Sequence, residues 1–262
     1  MADKNYLHTA YANSADGTDR FTTVYPNLNL LDGTKDFTGS WWYSEGWEND
    51  GTYKGLTVKK KTAQWGGISK PFIAPKTGVY TFSAYVKSSG DSANITRIVN
   101  LNGVFSDEKV PNKWLGNNFD WLRDSFTVTL KAKDTIYAGY NITGSGSDSI
   151  LWTAGHKWEE GSTATPYMPS ASEVTTADWP KFVGTYVDTN PVSSTVSSKY
   201  DWDEMKYRVY LDGVPVGGSK LLSFDLENLK AGTSYNVQVS QINGNVESDK
   251  SESVAFKTTL TK

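Results

Sequence analysis

The feature that most constrains this chain is its rhythm. Segment after segment alternates apolar and polar residues with a period of two, is rich in Thr, Val, Ile, Tyr and Phe, and ends in Gly, Asn, Asp or Ser. Alternation of that kind puts one apolar face on each extended segment, and the only way to bury many such faces is sheet against sheet. The chain is therefore expected to be all-β. Strands are expected at Leu56 to Lys60, Gly67 to Phe72, Gly78 to Lys87, Asn94 to Leu101, Asp120 to Leu130, Asp134 to Ile142 and Ser149 to Glu159. That number and spacing suit a jelly-roll β-sandwich. Four more follow at Lys206 to Asp212, Leu221 to Leu229, Ser234 to Ile242 and Ser253 to Thr259.

Composition narrows the function. With 37 % hydrophobic and 13 % aromatic residues the chain can build real cores, since each buried ring removes roughly 150–250 Å² from water. A net charge of −3 offers no footprint for nucleic acid or anionic lipid. No apolar run is long enough to span a bilayer, so membrane insertion is not expected. Met1-Ala2-Asp3-Lys4-Asn5 lacks the apolar stretch of a signal peptide, which implies synthesis in a cytosol. The absence of cysteine excludes disulfides and zinc–thiolate sites.

The small, polar, proline-bearing stretch from Gly161 to Ser172 reads as a linker. Beyond it, Leu229 to Val239 fits a tyrosine corner around Tyr235, which points to a fibronectin- or immunoglobulin-like sandwich. Such a sandwich needs two strands before Lys206. Either Thr185 to Trp202 supplies them, with Trp202 as the core indole, or Tyr6 to Tyr11 pairs with Phe182 to Tyr186 in a small discontinuous unit into which the middle domain is inserted.

Three segments carry a resemblance: Tyr6 to Gly17 (YLHTAYANSADG), Ser149 to Pro166 (SILWTAGHKWEEGSTATP), and Val183 to Asp188 (VGTYVD) through Lys199 to Trp202 (KYDW). Together and in this order they resemble tail and baseplate accessory proteins of siphophages that infect Gram-positive bacteria, lactococcal-type phages in particular. The resemblance implies a carbohydrate-binding-module-like jelly roll in the middle, a fibronectin type III-like decoration after residue 206, a place in the virion after synthesis in the host cytoplasm, and adhesion to host saccharide. The resulting division is an N-terminal docking segment at 1–26 (paired with 180–203 in the inserted arrangement), the jelly roll at 27–170, a linker and small β unit at 171–203, and a fibronectin type III-like domain at 204–262.

Ten tryptophans then have to be divided between core and ligand platform. In the strand around Phe82, alternation makes Tyr80, Phe82, Ala84 and Val86 core, and leaves Tyr85 and Lys87 on a face that is either a sugar groove or an ordinary solvated sheet. Phe126, Val128 and Leu130 share one parity, so Arg123 faces the other way, free to meet a ligand bidentately. Trp121 is expected to pack at the end of the sandwich. Trp152 and Trp158 share a parity and read as core, with His156 a satisfied strand histidine. Trp47, Trp65 and Trp114 lie in polar, glycine-containing loops, where each either caps the sandwich or serves as a platform; only one of Trp41 and Trp42 can be core, and Trp41 joins the saccharide candidates.

Catalysis is poorly supported. Glu159 and Glu160 are neighbours on a strand and point to opposite faces, so they cannot flank a glycosidic bond. Neither histidine has a sequence-evident Ser or Cys partner. Asp201, Asp203 and Glu204 lack the spacing of an ordered calcium loop, whereas Asp32, Asp36 and Glu159 are candidates for a structural calcium. The expected function is non-enzymatic: weak, multivalent binding of host cell-wall polysaccharide by a virion protein docked to other baseplate or tail proteins. The alternative is a purely structural connector between virion proteins.

Overall fold

The computed structural model describes residues 4–92, 94–144 and 148–259; Met1, Ala2 and Asp3, read above for a leader, lie outside them. The fold is all-β, and the chain forms two compact units, one of residues 27–174 and the other of residues 1–26 with 175–262. The first strand, β1 (Tyr6–Ala12), belongs to the discontinuous unit.

The continuous unit is a sandwich of two antiparallel sheets. Sheet I has the order β2 (Glu48–Tyr53), β3 (Leu56–Lys61), β11 (Ile150–Glu160), β5 (Gly78–Ser89), β9 (Phe119–Leu130). Sheet II runs β4 (Phe72–Ile73), β10 (Thr135–Thr143), β6 (Asn94–Leu101), with the short β7 (Val104–Phe105) and β8 (Lys113–Gly116) both pairing β6. Between the sheets lie Tyr80, Phe82, Ala84 and Val86 of β5, Ile95, Val99 and Leu101 of β6, Val128 and Leu130 of β9, and Ile136, Ala138, Tyr140 and Ile142 of β10. Each set keeps to one parity of its strand, as the alternation requires, with Arg97 taking the intervening place in β6.

The strand β11 breaks that rule once. Ala154 pairs with Tyr85 and Lys157 with Ser83, so β11 spends three residues where β5 spends two. This bulge sits on Gly155, whose φ is +61 and whose absent side chain leaves room for Leu56, 2.6 Å from where a Cβ would stand. The extra residue inverts the phase of the strand. Trp158 is therefore fully buried between the sheets while Trp152, of the same parity, lies on the outer face of sheet I and is only partly buried. The expectation that both are core is corrected by the bulge.

Two expected strands change and several polar ones are added. Of Gly67 to Phe72 only Phe72 enters a strand, although Trp42 and Ser69 bridge. The polar hairpin β2–β3 turns on Lys54 and Gly55, both at positive φ. The hairpin β6–β7 turns on Asn102-Gly103, a dipeptide suited to two successive positive φ values.

In the discontinuous unit, β1 pairs along its whole length with β12 (Phe182–Asp188), which pairs with β13 (Asp201–Glu204). A second sheet contains β14 (Tyr207–Leu211), β15 (Val214–Ser219), β16 (Ser234–Asn243), β17 (Val246–Glu247) and β18 (Val254–Lys257). Segment 204–262 thus contributes one sheet to a unit it shares with 1–26 and 175–203, rather than standing as a domain of its own. Aromatic contacts explain why: Tyr25 stacks on Trp179 at 5.8 Å, the Arg208 guanidinium lies over Trp179 at 5.3 Å, and Arg208 Nε donates to the Tyr25 hydroxyl at 3.0 Å. Leu221 to Leu229 is not a strand; Leu222 is 92 % exposed. Trp202 is only partly buried, fitted against Gly17 and Gly184, with its indole N–H donating to the Ser197 carbonyl at 2.9 Å. The corner at Tyr235 is formed: the Lys230 backbone N–H donates to its hydroxyl at 2.9 Å.

Candidate functional site

Residues on the outer face of sheet I fall into two halves. In the first, the segment around Thr165 is tied down by a buried ionic network. Lys157 Nζ donates to Glu159 Oε2 at 3.2 Å, to Thr165 Oγ1 at 2.7 Å and to the Pro166 carbonyl at 2.9 Å, while the Thr165 N–H donates to Glu159 Oε1 at 3.0 Å. Burial is complete at Lys157 and Glu159, and loss of hydration pulls the Lys157 ammonium down to about 8. Arg123 serves the same seam, Nη2 donating to Ser83 Oγ at 2.9 Å and to the Thr165 carbonyl.

The other half is left uncovered and is aromatic. Tyr53 stacks face to face on Trp121 at 4.2 Å, and Tyr85 meets Tyr53 edge-on at 5.2 Å. Trp152, one register step away opposite Lys87, has the Lys87 ammonium 5.7 Å from its ring and donates its indole N–H to Asp50 Oδ2 at 2.6 Å. Lys54 lies 5.8 Å from both the Tyr53 and Tyr85 rings, and Lys87 pairs with Asp120 at 3.2 Å. All four rings are partly exposed over a floor of Leu56, Val58, Ala154 and Tyr167. Flat apolar rings bordered by charged hydrogen-bonding groups match a pyranose, which has an apolar face and a hydroxylated rim.

The sequence candidates scatter. Tyr85, Lys87 and Arg123 come together on this face, with Arg123 holding the covering segment rather than reaching into the open half. Trp41 and Trp47 are each 8 % exposed and belong to the inter-sheet core, which removes them as platforms. Their indole N–H groups are used internally, Trp41 on the Thr38 carbonyl at 3.0 Å and Trp47 on the Gly66 carbonyl at 2.8 Å. Trp65, 58 % exposed, and Trp114, 77 % exposed, are attached instead to sheet II by their backbones, the first through its amide N–H to the Ile142 carbonyl and the second by pairing with Thr96. Tyr53, Trp121 and Trp152 were missed. Trp121 faces the same way as Arg123, as β9 alternation already implies, whereas Trp152 is hidden from any parity argument by the bulge.

The outer face of sheet II has its own exposed side chains. Trp42 and Phe105 approach Tyr137 edge-on at 5.1 and 6.1 Å, Tyr43 lies 6.3 Å from it, and Ile73 and Val104 are more than half exposed nearby in the register.

The calcium candidates do not converge. Glu159 is saturated by Lys157 and Thr165, Asp36 accepts from the Thr38 N–H and hydroxyl, and Asp32 accepts from Ser172 Oγ at 2.8 Å. Hydrogen bonds from Ser170 and Ser172 hold the Asp32 carboxyl below the usual range. Among the described residues no three His, Cys, Asp or Glu side chains lie close enough to hold a metal ion. Glu160 turns away from Glu159 to pair with Lys76 at 2.9 Å.

Residues 180–238 match a family model described as Minor structural protein 5-like, C-terminal domain (BppU-like). A solved structure of the tripod (BppUct-A-L) from the baseplate of bacteriophage Tuc2009 is 49 % identical over the whole of both chains, with a TM-score of 0.71. The chain belongs to the phage baseplate tripod family. It is a structural baseplate protein, and its place is the virion. A carbohydrate-binding module (CBM36-1) of a xylanase from the hindgut metagenome of Trinervitermes trinervoides covers 48 % of this chain and 98 % of its own, at 10 % identity and a TM-score of 0.32. A second such module, from Cellvibrio mixtus lichenase 5A in complex with cellotriose, covers 53 % of this chain and 95 % of its own, at 13 % and 0.30. Likeness at that level carries no weight for a ligand. Among curated proteins none matches.

Proposed function

We propose that this baseplate protein adheres, without catalysis, to host cell-wall polysaccharide through the open half of the outer face of sheet I. The observation that carries this reading is the uncovered strip of Tyr53, Trp121, Tyr85 and Trp152, bordered by Lys54, Lys87 and Asp50, beside a half of the same face that is closed by its own chain. By analogy with aromatic pairs, each stacked sugar contributes about 0.5–1.5 kcal/mol, so one site binds weakly. Many copies engaging a repetitive glycan raise avidity by about 10²–10⁴. A virion appendage supplies that repetition.

The test is binding of the full chain to purified host cell-wall polysaccharide. Trp121→Ala and Trp152→Ala are expected to lose binding, and Trp65→Ala and Trp114→Ala to retain it. Unchanged binding by a Trp121→Ala/Trp152→Ala double variant that still unfolds in one cooperative transition overturns the assignment.

A second reading, a connector that docks another baseplate protein, is favoured by the outer face of sheet II. Its exposed aliphatic Ile73 and Val104 beside Trp42 and Phe105 suit a protein surface better than a sugar. Ile73→Asp would then abolish capture of a baseplate partner and leave polysaccharide binding intact.

A further inference from the structure

At one edge of the sandwich, where β9 of sheet I and β6 with β8 of sheet II come together, a cleft of about 330 Å³ opens, lined among others by Arg97, Lys109, Val110, Pro111, Lys113 and Phe126. That volume is at the lower end of ligand pockets, enough for one small ring and not for a glycan chain. It is separate from the aromatic strip and shares no residue with it.

The charge of the cleft is unbalanced. Arg97 is 6 % exposed and faces Asp124, which is 4 % exposed, with Nη1 2.9 Å from Oδ2 and 3.1 Å from both Oδ1 and the Ser125 carbonyl. Lys113 lies 3.5 Å from the same carboxylate, and the Tyr140 hydroxyl donates to it at 3.2 Å. One buried carboxylate thus faces two cations, and Lys109 adds a third on the wall. The Asp107 carboxylate in the adjoining loop accepts from the Lys109 backbone N–H at 2.9 Å. The Arg97 guanidinium lies on the Phe126 ring at 4.6 Å, and its Nε is buried without any hydrogen-bond partner. A buried N–H on a charged group that has no partner within the protein costs stability unless a water or a ligand meets it.

We infer that this cleft binds a small ring compound carrying an oxyanion, a carboxylate or a phosphate, with Lys113 and Lys109 meeting the anion, Arg97 supplying the positive floor, and the exposed Pro111 taking the apolar side of the ring. Arg and Lys donors to an anionic oxygen form the stronger, charge-assisted class of hydrogen bond. The site depends on none of the residues proposed for polysaccharide adhesion.

The test titrates the full chain with glucuronate, glucose 6-phosphate and glucose while following backbone amide shifts at Lys113 and Phe126. Either anion is expected to give saturable shifts with a dissociation constant on the order of 1 mM, weakening as salt is raised. The tighter of the two identifies the anion as carboxylate or phosphate. A Lys109→Ala/Lys113→Ala double variant is expected to bind roughly tenfold more weakly, Lys109→Ala alone to lose less in the same direction, and Trp152→Ala to bind as the parent does. Both lysines are surface residues, and an unaltered unfolding midpoint checks that the fold is kept. No shift with either anion, an equal response to glucose, or undiminished binding by the double variant overturns the site, and none of these results touches the polysaccharide reading.

Discussion

His156 sits fully buried among rings, with the edges of Phe82 and Phe37 at 5.6 and 5.7 Å and Trp41 at 5.5 Å, and its Nε2 bonded to Thr153 Oγ1 at 2.9 Å. Burial disfavours the imidazolium and pulls the group down to about 3. The unfolded chain takes up this proton near pH 6.5, so between about pH 6.5 and 3 the unfolded state binds a proton that the native state refuses. Stability therefore falls as pH drops through that window, by about 1.4 kcal/mol per unit from this group. Urea unfolding at several pH values checks it: His156→Gln should unfold with a shallower pH slope than the parent, and equal slopes would remove the assignment. The neighbouring Gly155 is held at φ +61 with Leu56 in the place of a side chain. Gly155→Ala is expected to cost roughly 2 kcal/mol, from left-handed strain and the contact together.

That glycine matters more for the strand than for itself, because the bulge it permits decides which tryptophan of β11 faces the solvent. Trp158 stacks on Phe72 at 5.2 Å and touches Phe82 and Phe126 at 5.4 and 5.6 Å, so Trp158→Ala should cost about 3–5 kcal/mol. Trp152→Ala, removing a partly buried ring from the outer face, should cost less, about 1–2 kcal/mol. Denaturant midpoints of the two variants measure the difference, and comparable losses would mean that the strand keeps one phase throughout. The same bulge marks the limit of what alternation reveals. Where β5 and β9 pair in unbroken register, from Gly78 with Leu130 to Val86 with Leu122, Tyr80 to Val86 and Phe126 to Leu130 turn inward as their spacing dictates, and Tyr85, Lys87 and Arg123 are found on one outer face. Beyond a bulge the period is still two but the phase is lost, and nothing in Thr153 to Trp158 except a lone glycine announces it. Trp41 and Trp47 failed for a different reason: polar neighbours describe a loop, yet a loop folded across the end of a sandwich still delivers its indoles to the core. Turns are legible in the sequence, since Asn102-Gly103 and Asp212-Gly213 both occupy the paired positive-φ positions of tight hairpins.

At the scale of the chain, the discontinuous unit raises the question of how 148 residues can interrupt a domain that must find its own first strand. The ends of the insert answer it. The Asn29 N–H donates to the Pro169 carbonyl at 3.1 Å, Asn29 bridges Ser170 in parallel, and the Asn29 side chain donates to the His156 carbonyl at 2.9 Å, so entry and exit are fastened side by side. An insert whose ends already meet adds little loop-closure cost to its host, because that cost grows only slowly with length. It also owns its whole core: the rings and aliphatics between sheets I and II all lie within 27–174. A fragment of residues 27–174 is therefore expected to fold alone with a single cooperative urea transition, and a chain in which a short Gly-Ser linker joins residue 26 to residue 175 is expected to keep β1 paired with β12. Amide hydrogen exchange at His8 and Ala10 of the linked chain, which lie opposite Tyr186 and Gly184 of β12, reads the second expectation, the Tyr11 amide being turned to the Thr22 carbonyl instead. Protection at both positions together with a cooperative fragment makes the molecule two independent folding units. Loss of protection in the linked chain would instead mean that the sandwich is needed to bring the two halves of its host together.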